Sequence, residues 1–152
     1  MTKRTTTHAT FVIEREYPHP PAKVFAAYAN PQSKAKWFVG PENWDKSNHQ
    51  LDFRVGGKES VSGGPPGGPV HAYAGTIWDI VENERIVLAY DMHMDATRTS
   101  VSLGTTEFKV SGNGTKLIYT EQGVYLDGYD DAGQREEGTQ QLFNQLDAYL
   151  QR

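Results

Sequence analysis

The last segment of the chain carries the most regular pattern of apolar residues. Its large apolar side chains are spaced by one, three or four residues, at Leu142, Phe143, Leu146, Tyr149 and Leu150. This spacing places them on one face of an α-helix, and it predicts a helix over residues 134–150. Asp131, in the sequence Asp-Ala-Gly-Gln, is expected to cap the first turn of that helix.

Most of the chain before this helix alternates between apolar and polar residues, which is the pattern of β-strands. Residues 8–17 form the first predicted strand, and a short alternating stretch follows over residues 51–55. Four longer strands are predicted over residues 70–82, 86–94, 100–110 and 115–126. The sequence Gly-Asn-Gly at residues 112–114 predicts a tight hairpin between the last two strands.

Two local features of this region are left open by the sequence. Residues 62–69, rich in glycine and proline, predict a loop, which either connects two strands or also covers a binding site. Ile77, Trp78 and Ile80 break the alternation of their strand. A bulge is therefore expected there, and the side of the sheet that Trp78 faces is undetermined.

Two short helices are predicted between the first strand and the rest of the sheet. Pro20 and Pro21 precede the sequence Ala-Lys-Val-Phe-Ala-Ala-Tyr-Ala, and proline is favoured in the first turn of a helix. Asn30 then provides a capping side chain before Pro31, which predicts a second helix. The chain has no internal repeat and no linker composition. Residues 1–152 are therefore expected to form one domain, with residues 1–7 disordered.

The order of these elements predicts an α+β fold. A single terminal helix that follows a whole sheet has one economical position, in which the sheet curves around the helix and both bury their apolar faces. The space between them is either packed with side chains or left as a cavity. This choice decides whether the interior can hold a ligand.

Several local sequences resemble those of the START-like superfamily, also called SRPBCC, whose helix-grip fold has the same order of elements. They are Tyr17-Pro-His-Pro-Pro-Ala-Lys-Val-Phe25, Lys36-Trp-Phe-Val-Gly-Pro41, Gly75-Thr-Ile-Trp-Asp-Ile80 and Arg135-Glu-Glu-Gly-Thr139. The last is similar to a bacterial subgroup of the branch related to activators of the heat-shock-protein ATPase. Thr139 stands where many members of that branch have tryptophan. The resemblance covers residues 10–151.

This resemblance implies a curved antiparallel β-sheet wrapped around a long C-terminal helix, with two short helices between strands 1 and 2. It also implies a hydrophobic small-molecule ligand between the sheet and that helix, since the superfamily typically binds such molecules there. A minority of members, which resemble the polyketide cyclases, are cyclases or hydrolases. No cofactor is implied.

Inward-facing positions of the strands and of the terminal helix are the candidates for ligand binding. Over residues 86–94 the large, soft side chains share one face, and the next two strands continue that face by the same alternation. Each of these residues could equally belong to a packed core. The candidates are Tyr90, Met92, Thr106, Phe108, Tyr119, Glu121, Thr139, Leu142, Phe143 and Leu146.

Glu121 is the least expected residue on a buried face. A buried carboxylate is costly unless it is paired, whereas a cavity with a few polar groups accommodates one. Glu121 is also a weak candidate for acid–base catalysis with Tyr90 or Tyr119, and the sequence has no cysteine and no G-x-S-x-G nucleophile. Besides ligand binding, two alternatives stay open: a cyclase- or hydrolase-type enzyme, and a co-chaperone-like module that acts through its surface.

Charge and composition argue against several other functions. The formal net charge of -4, without a run of basic residues, argues against a nucleic-acid partner. The absence of cysteine excludes disulfides and thiolate catalysis, and the dispersed histidines predict no metal site. No apolar run approaches the ~20 residues of a membrane span, and residues 1–7 lack the apolar core of a signal peptide. A cytoplasmic monomer or homodimer is expected.

Overall fold

Eight strands form one antiparallel sheet in the computed structural model, which describes residues 3–151. The strands are β1 (Thr6–Tyr17), β2 (Asp45–Lys46), β3 (Gln50–Leu51), β4 (Lys58–Gly64), β5 (His71–Val81), β6 (Arg85–Met94), β7 (Thr97–Ser111) and β8 (Gly114–Leu126). The helices are α1 (Pro21–Ala29), α2 (Pro31–Trp37) and α3 (Ala132–Leu150). The strand order is β1-β8-β7-β6-β5-β4-β2, and β3 pairs with β4.

The predicted α+β helix-grip architecture is confirmed. Helices α1 and α2 lie between β1 and β2 in the chain, and the curved sheet packs against α3, whose apolar stripe includes the buried residues Phe143, Leu146 and Leu150. Strand β1 pairs with β8 along its whole length, so the first and last long strands are neighbours. No helix within residues 3–151 is long and apolar enough to cross a membrane.

Side-chain caps fix the starts of α2 and α3. The Oδ1 atom of Asn30 accepts hydrogen bonds from the amides of Gln32 at 2.9 Å and Ser33 at 3.3 Å. The Oδ1 atom of Asp131 accepts from the amide of Gln134 at 2.9 Å. Each cap pairs amides that the first turn of a helix leaves without a partner. Both predicted caps are confirmed, although α3 begins two residues before the predicted start.

The start of the first strand differs from the prediction. Strand β1 begins at Thr6, within the residues 1–7 that were expected to be disordered, whereas Met1 and Thr2 lie outside the described residues. Asp127 explains this extension, because its Oδ1 accepts from the amide of Thr5 at 2.9 Å and its Oδ2 from Arg4 at 2.8 Å.

The region between β3 and β5 also differs from the prediction. Residues 51–55 do not continue as a strand beyond Leu51, and Val55 lies in a turn with 55% of its surface exposed. Strand β4 instead extends to Gly64, because its residues 58–63 pair with residues 71–76 of β5. The loop that was predicted over residues 62–69 therefore begins after Gly64.

The expected β-bulge is present at Trp78, and the side chain of Trp78 faces away from the core. The register between β5 and β6 shifts between Ile77 and Asp79. A bulge inserts one extra residue and redirects the side chains around it. Trp78, which has no partner in β6, is 64% exposed, whereas Ile77 next to it is 1% exposed and belongs to the core.

Candidate functional site

A cavity of about 870 Å³ lies between the sheet and the helices α2 and α3. Two small, buried residues of β7, Gly104 and Thr106, line it. Residues of this size do not reach across to α3, so they leave space between the strand and the helix. The volume falls within the range of about 300–1,000 Å³ that is common for small-molecule sites.

Eight of the ten candidate residues line this cavity. They are Tyr90, Met92, Thr106, Tyr119, Glu121, Thr139, Leu142 and Phe143. The other two, Phe108 and Leu146, are not among the lining residues and belong to the packed core. Phe108 contacts Phe25 and Tyr28 of α1 edge-on, at 5.4 Å between ring centroids in both cases. The rings of α1 thus fill the space in front of Phe108.

Aromatic residues of α2 and the following segment complete the cavity wall. Trp37 is buried and donates its indole N–H to the carbonyl of Ala27 at 2.9 Å. The ring of Trp44 stacks on that of His71, with 5.0 Å between centroids and 19° between planes. Exposed lining residues form the mouth of the cavity: Pro41, Lys46, Ser47, Asn48, Gln134, Gly138 and Gln141. The cavity is therefore open to solvent on this side rather than fully enclosed.

Of the residues 62–69 that were considered as a lid, only the first two line the cavity. These are Ser62 and Gly63, and both belong to strand β4. The hydroxyl of Ser62 donates to that of Ser47 at 2.9 Å, which joins β4 to the segment that forms the mouth. The loop itself lies away from the cavity lining.

Glu121 is the centre of one polar group of residues, here called the Glu121 cluster (Glu121, Tyr90, Tyr119 and Arg135). Its Oε1 accepts from the hydroxyl of Tyr90 at 2.8 Å and from that of Tyr119 at 2.6 Å. Its Oε2 lies 3.7 Å from Nη1 of Arg135 and has no hydrogen-bond partner among residues 3–151. Burial and the adjacent Glu121 raise the pKa of both tyrosines, so their hydroxyls stay protonated at neutral pH.

Arg135 ties α3 to the sheet and was not among the predicted residues. Its Nη2 donates to Ser100 and to Asp130, each at 2.7 Å, and its Nη1 donates to the hydroxyl of Tyr90 at 3.0 Å. Burial alone would lower the pKa of Arg135, but Tyr90, Asp130 and Glu121 together raise it, which keeps the guanidinium charged. Arg135 precedes Thr139 by one helical turn, so extending the apolar stripe backwards would have identified it.

Glu59 is the centre of a second group, here called the Glu59 cluster (Glu59, Lys34, His49 and Tyr73). Its side chain is fully buried and receives three donors: Lys34 Nζ at 2.9 Å to Oε1, His49 Nε2 at 2.7 Å to Oε2, and the Tyr73 hydroxyl at 2.9 Å to Oε1. Burial would raise the pKa of Glu59, but Lys34 and the three hydrogen bonds lower it to about 2. Glu59 is therefore a carboxylate at neutral pH.

The Glu59 cluster was not predicted, because β4 lacks an apolar alternation. The strand reads Lys-Glu-Ser-Val-Ser-Gly-Gly, and Glu59 fell between the predicted strand over residues 51–55 and the predicted loop. Lys34 did carry a signal. It lies one turn before Trp37 on α2, and a lysine on the apolar face of a helix is seldom buried unless it is paired.

Thr139 lines the cavity, but its hydroxyl is already engaged. Its Oγ1 donates to the carbonyl of Arg135 at 2.8 Å, the local bond that serine and threonine form within helices. The sequence had suggested that this hydroxyl could bond a polar group of a ligand. Its one proton is used within α3, so Thr139 contributes shape to the wall, together with a lone pair on its oxygen.

The groups that line the cavity are mainly apolar, with the buried carboxylate of Glu121 among them and that of Glu59 bonded to three of them. Within residues 3–151 no group of three or more histidine, aspartate or glutamate side chains is arranged to hold a metal ion. The cavity combines aromatic and aliphatic walls with two buried carboxylates whose donors are fixed in place. Apolar walls with a few oriented polar groups are typical of small-molecule sites.

Comparison with known proteins places the chain among bacterial relatives of the same fold. A solved structure of an uncharacterized protein from Rhizobium leguminosarum is 43% identical, with a TM-score of 0.94 and coverage of 99% of both chains. Protein Mll3558 from Rhizobium loti is 41% identical, with a TM-score of 0.88 over 95% of this chain and 99% of that one. Protein CV1439 from Chromobacterium violaceum is 26% identical, with a TM-score of 0.77 over 94% and 97%. A search of curated proteins gave no match.

The family is shown by a match that spans most of the chain. The model of the family described as activator of Hsp90 ATPase homolog 1-like protein matches residues 18–151. This agrees with the order of elements, the helix-grip sheet and the resemblance of the local sequences. The chain therefore belongs to the Hsp90 ATPase activator homolog 1-like family, with its START-like fold.

Proposed function

We propose that this protein binds a small, largely apolar molecule of aromatic character in the cavity between the sheet and α3. The observation that carries this proposal is the cavity of about 870 Å³ itself, walled by Trp37, Phe38, Leu88, Leu142 and Phe143. A protein interior is normally packed as densely as an organic crystal, with few voids larger than a water molecule. A cavity of this size, open on one side, is suited to a ligand.

The Glu121 cluster supplies a polar end to the same space. The tyrosine hydroxyls hold Oε1 of Glu121, and Arg135 fixes the position of Tyr90. Fixed polar groups at one end of an apolar cavity orient a ligand more than they add to its affinity. This end lies beside the start of α3, where Arg135 and Thr139 line the cavity.

The state of the cavity tyrosines favours ligand binding over catalysis of the cyclase or hydrolase type. Acid–base work by Tyr90 or Tyr119 would require a hydroxyl that loses its proton readily, whereas burial and Glu121 raise the pKa of both. Both hydroxyls already donate to Glu121, an arrangement that holds the carboxylate in place. The co-chaperone alternative depends on the outer surface of the protein and makes no use of the cavity.

The test uses an apolar fluorescent probe and an unbiased search for a natural ligand. N-phenyl-1-naphthylamine should bind saturably at one site per chain, and it should raise the melting temperature as RT ln(1 + [L]/Kd) predicts. Native mass spectrometry of the protein purified from its source organism should show a co-purifying small molecule that the probe displaces. Absence of saturable probe binding and of any co-purifying molecule would overturn the proposal. Stimulation of an Hsp90-type ATPase by such a ligand-free protein would favour the co-chaperone alternative.

A further inference from the structure

The buried polar atoms of the residues that line the cavity differ in whether they have a hydrogen-bond partner. Nearly all buried polar groups in folded proteins have a hydrogen-bond partner. Three buried side-chain atoms on lining residues have none among residues 3–151: Glu121 Oε2, His49 Nδ1 and the Tyr28 hydroxyl. Each of these atoms is covered by neighbouring protein atoms, and a molecule in the cavity becomes its partner when the side chains that cover it move aside.

The contact with Glu59 fixes the tautomer of a neutral His49 ring. The side chain of His49 is 2% exposed, and its Nε2 lies 2.7 Å from Oε2 of Glu59. A carboxylate can only accept a hydrogen bond, so Nε2 carries the proton. In the neutral ring Nδ1 is then left as an acceptor. The ring of Phe38 packs edge-on against that of His49, with 5.8 Å between centroids, so aromatic surface lies beside the imidazole.

Glu121 presents a second acceptor within the same cavity. Two tyrosine hydroxyls already donate to its Oε1, and the nearest guanidinium nitrogen of Arg135 is 3.7 Å from Oε2. That distance exceeds the range of a hydrogen bond. A carboxylate oxygen has no proton to give, so this atom can only be satisfied by a donor.

The buried donors of the wall, in contrast, are committed to protein acceptors. The hydroxyls of Tyr73, Tyr90 and Tyr119 donate to carboxylates. The Lys34 ammonium and the Trp37 indole also have protein acceptors. Tyr28 is the exception, because an unpartnered hydroxyl can donate or accept. Of the three unpartnered buried groups, two are thus acceptors, and the third, the Tyr28 hydroxyl, can donate or accept.

We infer that the ligand of this cavity is an aromatic molecule that carries hydrogen-bond donors, such as a phenol or an N–H heteroaromatic, rather than a carboxylic acid or a ketone. This inference rests on the proposed function. The donor of the ligand bonds to His49 Nδ1 or to Glu121 Oε2, and the aromatic walls take its ring. The largely buried cations of the wall, Lys34 and Arg135, already pair with Glu59, Glu121 and Asp130. An anionic ligand would therefore add a negative charge without a buried cation of its own, which is costly.

Three probes with the same ring test this selectivity by isothermal titration calorimetry on the full-length protein. They are 2-naphthol, 2-methoxynaphthalene, which keeps the oxygen but lacks the donor, and 2-naphthoate, which is an anionic acceptor. We expect 2-naphthol to bind about tenfold more tightly than 2-methoxynaphthalene, the size of one hydrogen bond to a buried acceptor, and 2-naphthoate to bind most weakly. Equal binding of 2-naphthol and 2-methoxynaphthalene would overturn the inference and leave the proposed function standing. If none of the three binds, the proposed function fails as well.

Two substitutions locate the acceptor. His49→Phe removes Nδ1 but keeps an aromatic ring against Phe38, and Glu121→Gln keeps the shape but replaces one oxygen by an amide donor. In at least one variant, the dissociation constant of 2-methoxynaphthalene divided by that of 2-naphthol should fall toward one. The affinity of that variant for 2-methoxynaphthalene should stay within about twofold of the wild-type affinity. The exposed Glu14→Gln serves as the control and should keep the ratio. An unchanged ratio in both cavity variants would overturn the inference, and the probe comparison on the wild-type protein decides it even if a variant does not fold.

Discussion

The rings of Tyr73 and Tyr90 lie against each other, with 4.9 Å between centroids and 37° between planes, and each hydroxyl donates to a different buried carboxylate. Tyr73 donates to Glu59 at 2.9 Å, and Tyr90 donates to Glu121 at 2.8 Å. This pair joins the Glu59 cluster and the Glu121 cluster into one polar network across the cavity wall. A substitution that breaks either cluster is therefore expected to lower the stability of the protein.

Glu59→Gln should destabilise the protein strongly. The substitution removes the charge that balances the ammonium of Lys34, whose side chain is only 10% exposed. Breaking a buried ion pair by removing one partner costs about 3–5 kcal/mol, and urea unfolding at neutral pH measures this loss. Glu14→Gln is the matched control, because Glu14 and Lys116 are 52% and 41% exposed and such surface pairs contribute about 0–1 kcal/mol. Equal losses in the two variants would contradict the role assigned to Glu59.

Acid should weaken the folded state through the same residue. The pKa of Glu59 is about 2 in the folded protein, below its ordinary value of 4.5. A carboxyl with a lowered folded pKa stabilises the protein above its unfolded pKa, and this contribution is lost as the pH falls from about 4.5 toward about 2. At about 1.4 kcal/mol for each pKa unit, the full contribution is about 3 kcal/mol. Urea unfolding between pH 6 and pH 3 should show most of this loss in wild type, and Glu59→Gln should lack that component.

Two glycine substitutions should have opposite effects on stability. A Cβ at Gly104 would lie 2.6 Å from the hydroxyl oxygen of Tyr119, which Glu121 holds at 2.6 Å. Gly104→Ala should therefore displace Tyr119 and cost about 1–3 kcal/mol. A Cβ at Gly138 in α3 has no atom within 4 Å, so Gly138→Ala should stabilise the helix by about 0.5–1 kcal/mol. Thermal unfolding of both variants gives the comparison, and a stabilising Gly104→Ala would show that Tyr119 is not fixed by Glu121.

Thr139→Trp should reduce binding of N-phenyl-1-naphthylamine by about tenfold or more while the protein stays folded. Thr139 lines the cavity, and an indole there would occupy space that the proposed ligand uses. The loss of about 1.4 kcal/mol or more corresponds to a tenfold change in affinity. Thr139→Val is the control. It removes the hydroxyl of Thr139, which bonds the carbonyl of Arg135, and keeps nearly the same side-chain shape. Fluorescence titration of both variants distinguishes the effect of added side-chain volume from the effect of losing the hydroxyl. A loss of probe affinity in Thr139→Val alone would mean that the hydroxyl contacts the ligand.

The buried position of Glu121 could be predicted from the sequence because strand alternation is local. Leu117, Tyr119 and Glu121 follow each other at intervals of two in β8, and one inward-facing member fixes the facing of the others. The same argument placed Tyr90 and Met92 on the cavity side of β6 and the residues of α3 on one stripe. The caps Asn30 and Asp131 were predictable for the same reason, since each bonds amides only two or three residues away.

The sequence by itself thus determined the α+β class, the order of the long elements and the face on which most candidate residues lie, because these follow from periods of two and 3.6 residues within single segments. Only the tertiary structure decided which inward-facing residues are covered. Phe108 and Thr106 share a face of β7, but the rings of Phe25 and Tyr28 pack on Phe108 and leave the space near Thr106 open. Lys34 and Glu59 likewise meet only because α2 packs over β4. Packing between segments distant in the chain depends on the volumes and charges of all of them at once, and no local pattern contains that information.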